Sequence, residues 1–194
     1  MFGWKSFRSY VCEMKLVEVQ NLTKSFDSLK VLDDISLIVN SGESVAVVGP
    51  SRVGKSTLLR IIAGLEQADS GIVNVFTKKI SMVFQYSALL NSYTVAENIS
   101  LALHNNGLSK SERKDKIMDE LRLVGLERYA DSYPDQLSGG QRKRVGFARA
   151  IASDPEVILY DEPTAGLDPI LATLIEDYIN KLANKFKVAS IIVT

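Results

Sequence analysis

The stretch of sequence that decides the fold is Gly49-Pro50-Ser51-Arg52-Val53-Gly54-Lys55-Ser56-Thr57. It follows a short valine-rich run over residues 44–48, which is typical of a buried central strand, and it leads into a helical pattern over residues 55–63. A loop between a strand and a helix, with glycines that let backbone N–H groups turn inward, holds phosphate groups. The sequence therefore predicts a phosphate-binding loop at the start of a helix.

The polar residues that end this loop each have an expected role. Lys55 is expected to reach the β- and γ-phosphates, and the Ser56 hydroxyl is expected to bind Mg²⁺. Thr57 is expected to add a contact to the α-phosphate, while residues 49–54 supply backbone donors. The alternative is a chance match, which at ordinary glycine frequency is an event of about 1% or less.

Two carboxylates follow another apolar run. Val157–Tyr160 is typical of a buried strand, and Asp161 and Glu162 come directly after it. Because open α/β sheets bind ligands at the carboxyl ends of their strands, we expect Asp161 beside the phosphate loop, where it holds Mg²⁺ through water. Glu162 is then expected to orient and deprotonate the attacking water. The alternative is a helix N-cap ahead of Pro163, and the upstream loop favours the metal and base roles.

A second glycine-bearing stretch opens a later helix and reads Leu137-Ser138-Gly139-Gly140-Gln141. Ser138 is a good N-cap, and the two glycines after it leave backbone N–H groups uncovered. A helix start of this kind attracts anions. The sequence therefore predicts a second anion-binding position, in addition to the phosphate loop.

Basic side chains follow on the same helix, at Arg142, Lys143, Arg144 and Arg149. We predict that they form a solvated basic face. A stripe for nucleic acid is the weaker alternative, because no aromatic platform accompanies the charges. The whole chain has 23 basic and 23 acidic residues, so its net charge gives no attraction to nucleic acid either. No nucleic-acid partner is expected.

Length and composition describe one globular domain. The chain has 194 residues, of which 46% are hydrophobic, and this is enough for a packed core and argues against disorder. Its single cysteine, Cys12, excludes an intrachain disulfide and fits a reducing compartment. Residues 1–14 lack the continuous apolar region of a signal peptide, so we interpret them as an N-terminal extension; a position on a membrane surface is the alternative.

The remaining patterns alternate strands with helices. We expect strands at residues 15–19, 31–39, 44–48, 72–76, 80–84, 157–160 and 188–193. We expect helices at residues 55–63, 94–103, 110–124, 139–152 and 169–186, the third of them opened by a capping box of Ser109 and Glu112. This alternation predicts an α/β fold with a mainly parallel sheet, and residues 93–152 form a mostly helical subdomain beside it.

From Lys15 to Thr194 the chain resembles the ATP-binding cassette family, because the phosphate loop, residues 137–141 and the acidic pair occur in that order. The resemblance implies a P-loop NTPase fold with an N-terminal antiparallel β portion, and ATP and Mg²⁺ as cofactors. It also implies a second nucleotide-binding subunit, expected to be identical. In such a dimer, residues 137–141 of one subunit close over the γ-phosphate of ATP held by the other.

Further residues take roles from this resemblance. Phe26 matches an aromatic residue that stacks on adenine, and core packing is an equal alternative. Gln85 matches the glutamine that links Mg²⁺ and the attacking water to the transport subunit. Asp168 belongs to the loop that crosses the dimer interface. Arg52 stands where a glycine is usual, but at a free position of the pattern, so phosphate binding is expected to survive.

Within the family, the chain is most similar to the ATPases of Mce-associated phospholipid transporters, including Mla-type and chloroplast lipid importers. The residues that carry this likeness are Phe84-Gln85-Tyr86-Ser87-Ala88-Leu89, Thr94-Val95-Ala96-Glu97-Asn98 and the run over 160–170. The likeness implies phospholipid as the transported substrate.

The resemblance as a whole implies a peripheral subunit on the cytoplasmic or stromal face of a membrane. ATP hydrolysis would energise a membrane-spanning permease, which the subunit meets near residues 85–94. The alternatives are a soluble cassette ATPase without a transport role, and a regulatory subunit with little hydrolysis. The family places a switch histidine just after a strand end such as Thr194, while His104 is predicted to be a surface residue, so we expect the cassette to be incomplete at its C-terminal end.

Overall fold

The computed structural model describes residues 14–50, 53–104 and 106–194. Residues 1–13 of the expected N-terminal extension, and Ser51 and Arg52 of the phosphate loop, lie outside the described residues. The strands are β1 (Lys15–Phe26), β2 (Leu29–Asn40), β3 (Ser44–Val47), β4 (Ser70–Val75), β5 (Ile80–Val83), β6 (Val157–Asp161) and β7 (Ala189–Val193). The helices are α1 (Lys55–Ile62), α2 (Val95–Ser100), α3 (Lys110–Leu123), α4 (Gly139–Ala152) and α5 (Pro169–Phe186). Short 3₁₀ turns span Leu101–Leu103, Glu127–Tyr129 and Pro134–Gln136.

The strands form two sheets. An antiparallel sheet has the order β2-β1-β4, and a parallel sheet has the order β3-β7-β6-β5. In the parallel sheet Val47 pairs with Val193, which also pairs with Asp161, so the C-terminal ends of β3, β7 and β6 lie at one edge. The phosphate loop follows β3 and the acidic pair ends β6. Two sequence stretches more than 100 residues apart therefore meet at that edge.

The central strand β6 has a core on each side. All its residues are buried, and successive side chains face opposite apolar clusters. Leu159 belongs to the cluster that joins the antiparallel sheet and α1 to the parallel sheet. Tyr160 belongs to the cluster formed with α4 and α5, where its ring stacks on that of Phe147 with 6.3 Å between the ring centroids. Burial on both faces fixes where the strand ends, and so positions the carboxylates at its end.

The first two strands are longer than the pattern predicts. β1 and β2 form one antiparallel hairpin in which Phe26 pairs with Leu29, and Asp27 takes a left-handed φ of 51° at the turn. The pairing register shifts between Val19 and Leu22. The alternation of apolar and polar side chains is interrupted there while the hydrogen bonding continues, which is why the sequence predicted only the first part of β1.

Every element between residues 95 and 152 in the described part of the chain is helical. The helices α2, α3 and α4 pack through a shared apolar cluster that includes Ile99, Leu121 and Val145. The capping box predicted for Ser109 and Glu112 is confirmed at the start of α3. The helix expected over residues 94–103 is α2 followed by a 3₁₀ turn, with Thr94 as the N-cap. His104 is exposed, as predicted.

The prediction of a solvated basic face on α4 is wrong. Its four basic side chains are half-buried, and each donates hydrogen bonds to main-chain carbonyl oxygens of irregular segments. Buried carbonyl groups outside helices and sheets need such donors, and long basic side chains can reach them. The bonds run from Arg142 to Leu137, from Lys143 to Ala165, from Arg144 to Val124, and from Arg149 to Ser87 and Ala88.

Candidate nucleotide-binding site

The phosphate loop leads into α1 through a glycine that no other residue could replace without strain. Gly54 is the N-cap of α1 with a φ of 96°, and a Cβ there would lie 2.4 Å from the carbonyl oxygen of Val31. Glycine has no side chain with which to cap the helix start, so the first N–H groups of α1 can bind an anion. Lys55 is only 9% exposed, and its Nζ donates to the carbonyl oxygens of Gly49 and Pro50 at 2.6 and 2.8 Å. The ammonium group is therefore held over the loop.

Ser56 and Asp161 come together as the sequence predicted. The Ser56 Oγ donates to Asp161 Oδ1 at 2.8 Å, and Asp161 is buried at the end of β6. The alternative role of the acidic pair as a helix N-cap is wrong, because the next helix begins at Pro169 and is capped by Asp168. A hydroxyl and a carboxylate side by side are the oxygen ligands that Mg²⁺ accepts beside phosphate groups.

Gln85 and Glu162 form a second pair at the same edge. Gln85 follows β5, and its Nε2 donates to Glu162 Oε2 at 2.7 Å. The Glu162 N–H donates to the carbonyl oxygen of Val193 at 3.0 Å. Glu162 also has a left-handed φ of 47°, a conformation that costs a non-glycine residue about 1–2 kcal/mol and persists only where neighbours hold it. The carboxylate position is thus fixed by contacts from two strand ends.

The start of α4 faces solvent. Ser138 accepts from the Gln141 N–H at 3.2 Å, and the Gln141 Oε1 accepts from the Ser138 N–H at 2.8 Å, which makes a reciprocal capping box. Ser138 and Gly139 are exposed, while Leu137 is buried and anchors the turn. The N-cap expected at Ser138 is confirmed, and the start of this helix is exposed at the protein surface.

Asp168 has a local role that the sequence analysis missed. Its Oδ1 accepts from the N–H groups of Ile170 and Leu171, both at 3.1 Å, and so it caps α5. An aspartate directly before a proline that opens a helical pattern is a recognised signal for this cap, and it could have been found in the sequence. Beside it, Leu167 lies against Gly140, where a Cβ would be 3.5 Å from the leucine Cδ2. The turn after Glu162 is therefore packed against the start of α4.

Phe26 lies at the hairpin turn and not in the core. It is 44% exposed, and the Nζ of Lys24 lies 5.0 Å from the centroid of its ring. Core packing, the alternative to adenine stacking, is therefore wrong. An exposed ring at this position remains available to stack on a planar ligand.

The residues at this edge fit a magnesium nucleotide. In the described part of the chain, no group of three or more His, Cys, Asp or Glu residues could hold a metal ion by itself. A Mg²⁺ ion here would need phosphate oxygens beside Ser56 and Asp161, as is usual for this ion. A separate cavity of about 620 Å³ lies at the other end of the parallel strands, near Leu16, Tyr178 and Val188, and the residues of the proposed magnesium site do not line it.

Comparison with known proteins assigns the chain to a family. Residues 32–165 match the family model described as ABC transporter. The chain belongs to the ABC transporter family. The sulfate/thiosulfate import ATP-binding protein CysA of Halalkalibacterium halodurans is 43% identical over 192 residues, covering 92% of this chain and 54% of that protein. The Fe(3+) ions import ATP-binding protein FbpC of Escherichia coli O157:H7 is 38% identical, covering 94% and 55%. The chain thus spans about half the length of these two ABC relatives.

Solved ABC structures have the same fold. One is a dimeric ATP-binding cassette in a post-hydrolysis state bound to ADP and Pi, with a TM-score of 0.85 and 32% identity, covering 92% of this chain and 88% of that one. Another is a dimeric bacterial ABC transporter cassette with a TM-score of 0.86, 32% identity and the same coverage. The predicted α/β fold of the P-loop NTPase type, with a parallel sheet and an antiparallel β portion, is confirmed.

The closer likeness to phospholipid transporters is not supported by these comparisons. The relatives above are named for the import of sulfate, thiosulfate and ferric ions. The residues that suggested lipid transport serve local structure. Asn98 is fully buried and donates to the carbonyl oxygens of Leu90, Tyr93 and Thr94, and Asp168 caps α5. Such contacts stabilise the backbone of an ABC cassette and carry no information about its cargo.

Proposed function

We propose that this chain is the ATP-binding and ATP-hydrolysing subunit of an ABC importer. The observation that carries the proposal is the meeting of Ser56, Asp161, Gln85 and Glu162 at the carboxyl edge of the parallel sheet, next to the phosphate loop. The names of the relatives support import, and their cargoes support a small inorganic ion as the class of substrate. The ADP- and Pi-bound cassette supports ATP as the nucleotide.

Each side chain at the edge then has a task. Lys55 exchanges its two carbonyl partners for the β- and γ-phosphates, and the free N–H groups of α1 bind the remaining phosphate oxygens. Ser56 and Asp161 would hold Mg²⁺, with the amide oxygen of Gln85 as a further ligand, and the bound ion would neutralise charge on the phosphates. Glu162 orients the attacking water and accepts its proton at Oε2. Thr57 contacts the α-phosphate, and Phe26 contacts the adenine.

A second copy of the chain completes the site. The capping box at Ser138 and Gln141 leaves the backbone N–H groups of Gly139 and Gly140 for an anion, so we infer that this turn closes over the γ-phosphate bound to the partner, with Asp168 and its loop at the interface. The dimeric ABC cassettes among the solved structures support this arrangement. ATP shifts the pair towards closure only as far as it binds the closed state better than the open one.

The membrane partner is proposed to dock on the segment after Gln85. Three of its apolar side chains are exposed: Tyr86 at 87%, Leu90 at 45% and Tyr93 at 39%. Exposed tyrosine and leucine side chains on one segment are typical of a protein-binding surface. No helix in the described ranges is long and apolar enough to cross a membrane. The family assignment and the exposed side chains support a peripheral position on the cytoplasmic or stromal face of a membrane, attached to a permease.

The test is to express the full reading frame, isolate it from solubilised membranes and measure ATP hydrolysis. We expect a multi-span membrane protein to co-purify, and the complex to hydrolyse ATP only when Mg²⁺ is present. Removal of Mg²⁺ with EDTA should abolish turnover. Hydrolysis without a membrane partner would favour a soluble cassette ATPase, and nucleotide binding without turnover would favour a regulatory subunit.

Replacing Ser138 with arginine should block ATP-dependent dimerisation without weakening ATP binding to the monomer. The arginine would fill the exposed helix start and remove its cap, a loss of about 1 kcal/mol of stability. Size-exclusion chromatography with ATP, in a hydrolysis-deficient background, measures the dimer. Ser109→Arg is the matched control, because Ser109 caps α3 with the same capping box outside the proposed interface. An unaffected dimer in Ser138→Arg would contradict the closing role of this turn.

A further inference from the structure

Lys143 connects two parts of the site that belong to different elements. It lies on α4, one turn after the solvent-facing helix start, and its Nζ donates to the carbonyl oxygen of Ala165. The same Nζ lies 3.5 Å from the carbonyl oxygen of Glu162. The side chain thus reaches the main chain on both sides of the turn that follows the carboxylate.

The contact is made by a partly desolvated charge. Lys143 is half-buried, and burial lowers the pKa of its ammonium group below the usual value, against the opposing effect of the Glu162 charge. An ammonium group taken partly out of water needs the carbonyl oxygens that it contacts. The hydrogen bonds from Lys143 therefore favour the conformation of the turn in which both carbonyl oxygens face the ammonium group.

Glu162 is held from three directions, and Lys143 supplies one of them. Its N–H donates to Val193, its carboxylate accepts from Gln85, and its carbonyl oxygen faces Lys143. The left-handed φ of Glu162 stores conformational strain that these contacts must outweigh. The Glu162 carbonyl oxygen also accepts from the Ala165 N–H at 3.3 Å, a bond within the turn itself. Loss of the Lys143 contact therefore removes the bonds that hold this turn to α4, and the turn can then shift relative to that helix.

We propose that Lys143 is a positioning residue for ATP hydrolysis, which orients the Glu162 carboxylate by holding the carbonyl oxygens of residues 162 and 165. Its hydrogen bonds in the described part of the chain are made with this turn, so we expect its effect on the chemical step and not on nucleotide affinity. Leu167, packed on Gly140, makes a second contact between the turn and the start of α4. The inference rests on the hydrolytic function proposed above.

The neighbouring Arg144 provides a matched control. It lies on the same helix, is also half-buried, and makes the same kind of bond, from Nη1 to the carbonyl oxygen of Val124 at 2.6 Å. That bond ties α4 to the end of α3 and does not touch the turn after Glu162. A loss of helix stability should therefore appear in both variants, whereas a loss of carboxylate orientation should appear only at Lys143.

The experiment measures kcat and KM for ATP, and the melting temperature, on the membrane complex of the full reading frame. Lys143→Met keeps the aliphatic stem and removes the donor, and we expect kcat to fall about 10- to 100-fold with KM changed less than about threefold. Lys143→Arg and Lys143→Gln keep an N–H donor and should keep kcat within about fivefold of wild type. Arg144→Met should lower the melting temperature to a similar extent but keep kcat within about twofold.

Two results would overturn the positioning role while leaving the proposed function intact. One is wild-type kcat in Lys143→Met, and the other is an equal loss of kcat in Arg144→Met. If the Lys143→Met variant does not fold, Lys143→Leu is tested in its place. Absence of hydrolysis by the wild-type complex would instead remove the proposed function, and the positioning role with it.

Discussion

Lys55→Ala is expected to weaken ATP binding about 100-fold, which corresponds to about 2.8 kcal/mol. The ammonium group is the charge expected to contact the β- and γ-phosphates, and hydrogen bonds to charged groups contribute about 1.5–3 kcal/mol each. Its partners among the described residues are the carbonyl oxygens of Gly49 and Pro50, so the side chain is already directed over the loop. Isothermal titration with ATP and Mg²⁺ measures the change.

The control for this variant is Lys79→Ala. Lys79 is a lysine at the opposite end of the parallel sheet, whose Nζ lies 3.5 Å from a carboxylate oxygen of Glu156. Its loss removes the same amount of charge from the protein but should leave ATP affinity unchanged. Circular dichroism confirms that both variants fold. Normal affinity in Lys55→Ala would show that the nucleotide is bound elsewhere, and the proposed function would lose its basis.

The parts of the fold that the sequence predicted are those set by neighbouring residues. The bounds expected for α5, residues 169–186, agree with the structure, because a proline opens the helix and its apolar positions recur at helical spacing. The capping box at Ser109 involves residues three apart. The phosphate loop likewise needs only a strand, a glycine-bearing turn and a helix in succession. Each of these signals is complete within about 20 residues.

The parts that the sequence did not predict depend on contacts between distant segments. Arg149 was expected to be solvated, but it donates to the carbonyl oxygens of Ser87 and Ala88, which lie about 60 residues earlier. The Gln85–Glu162 bond joins residues 77 positions apart, so their roles could be expected only from the family resemblance. A basic side chain gives no sign in the sequence of whether its partner will be water or a distant carbonyl group.

Glu162→Gln is expected to lower the rate of ATP hydrolysis by about 10²- to 10⁴-fold while leaving ATP affinity unchanged. The amide has the shape of the carboxylate but cannot accept a proton from water. Its oxygen can still accept the hydrogen bond from Gln85 Nε2, and the backbone at a φ of 47° is not altered, so the site should keep its geometry. Turnover is measured with a coupled assay for released phosphate.

The same variant should accumulate as a dimer when ATP is present, because ATP hydrolysis no longer reopens the closed dimer. Glu156→Gln is the matched control, since Glu156 lies just before β6 at its other end and is partly exposed. Unchanged hydrolysis in Glu162→Gln would remove this residue from the role of base. A variant that fails to hydrolyse ATP and also fails to dimerise would keep Glu162 in the chemical step but would contradict closure of one subunit over nucleotide held by the other.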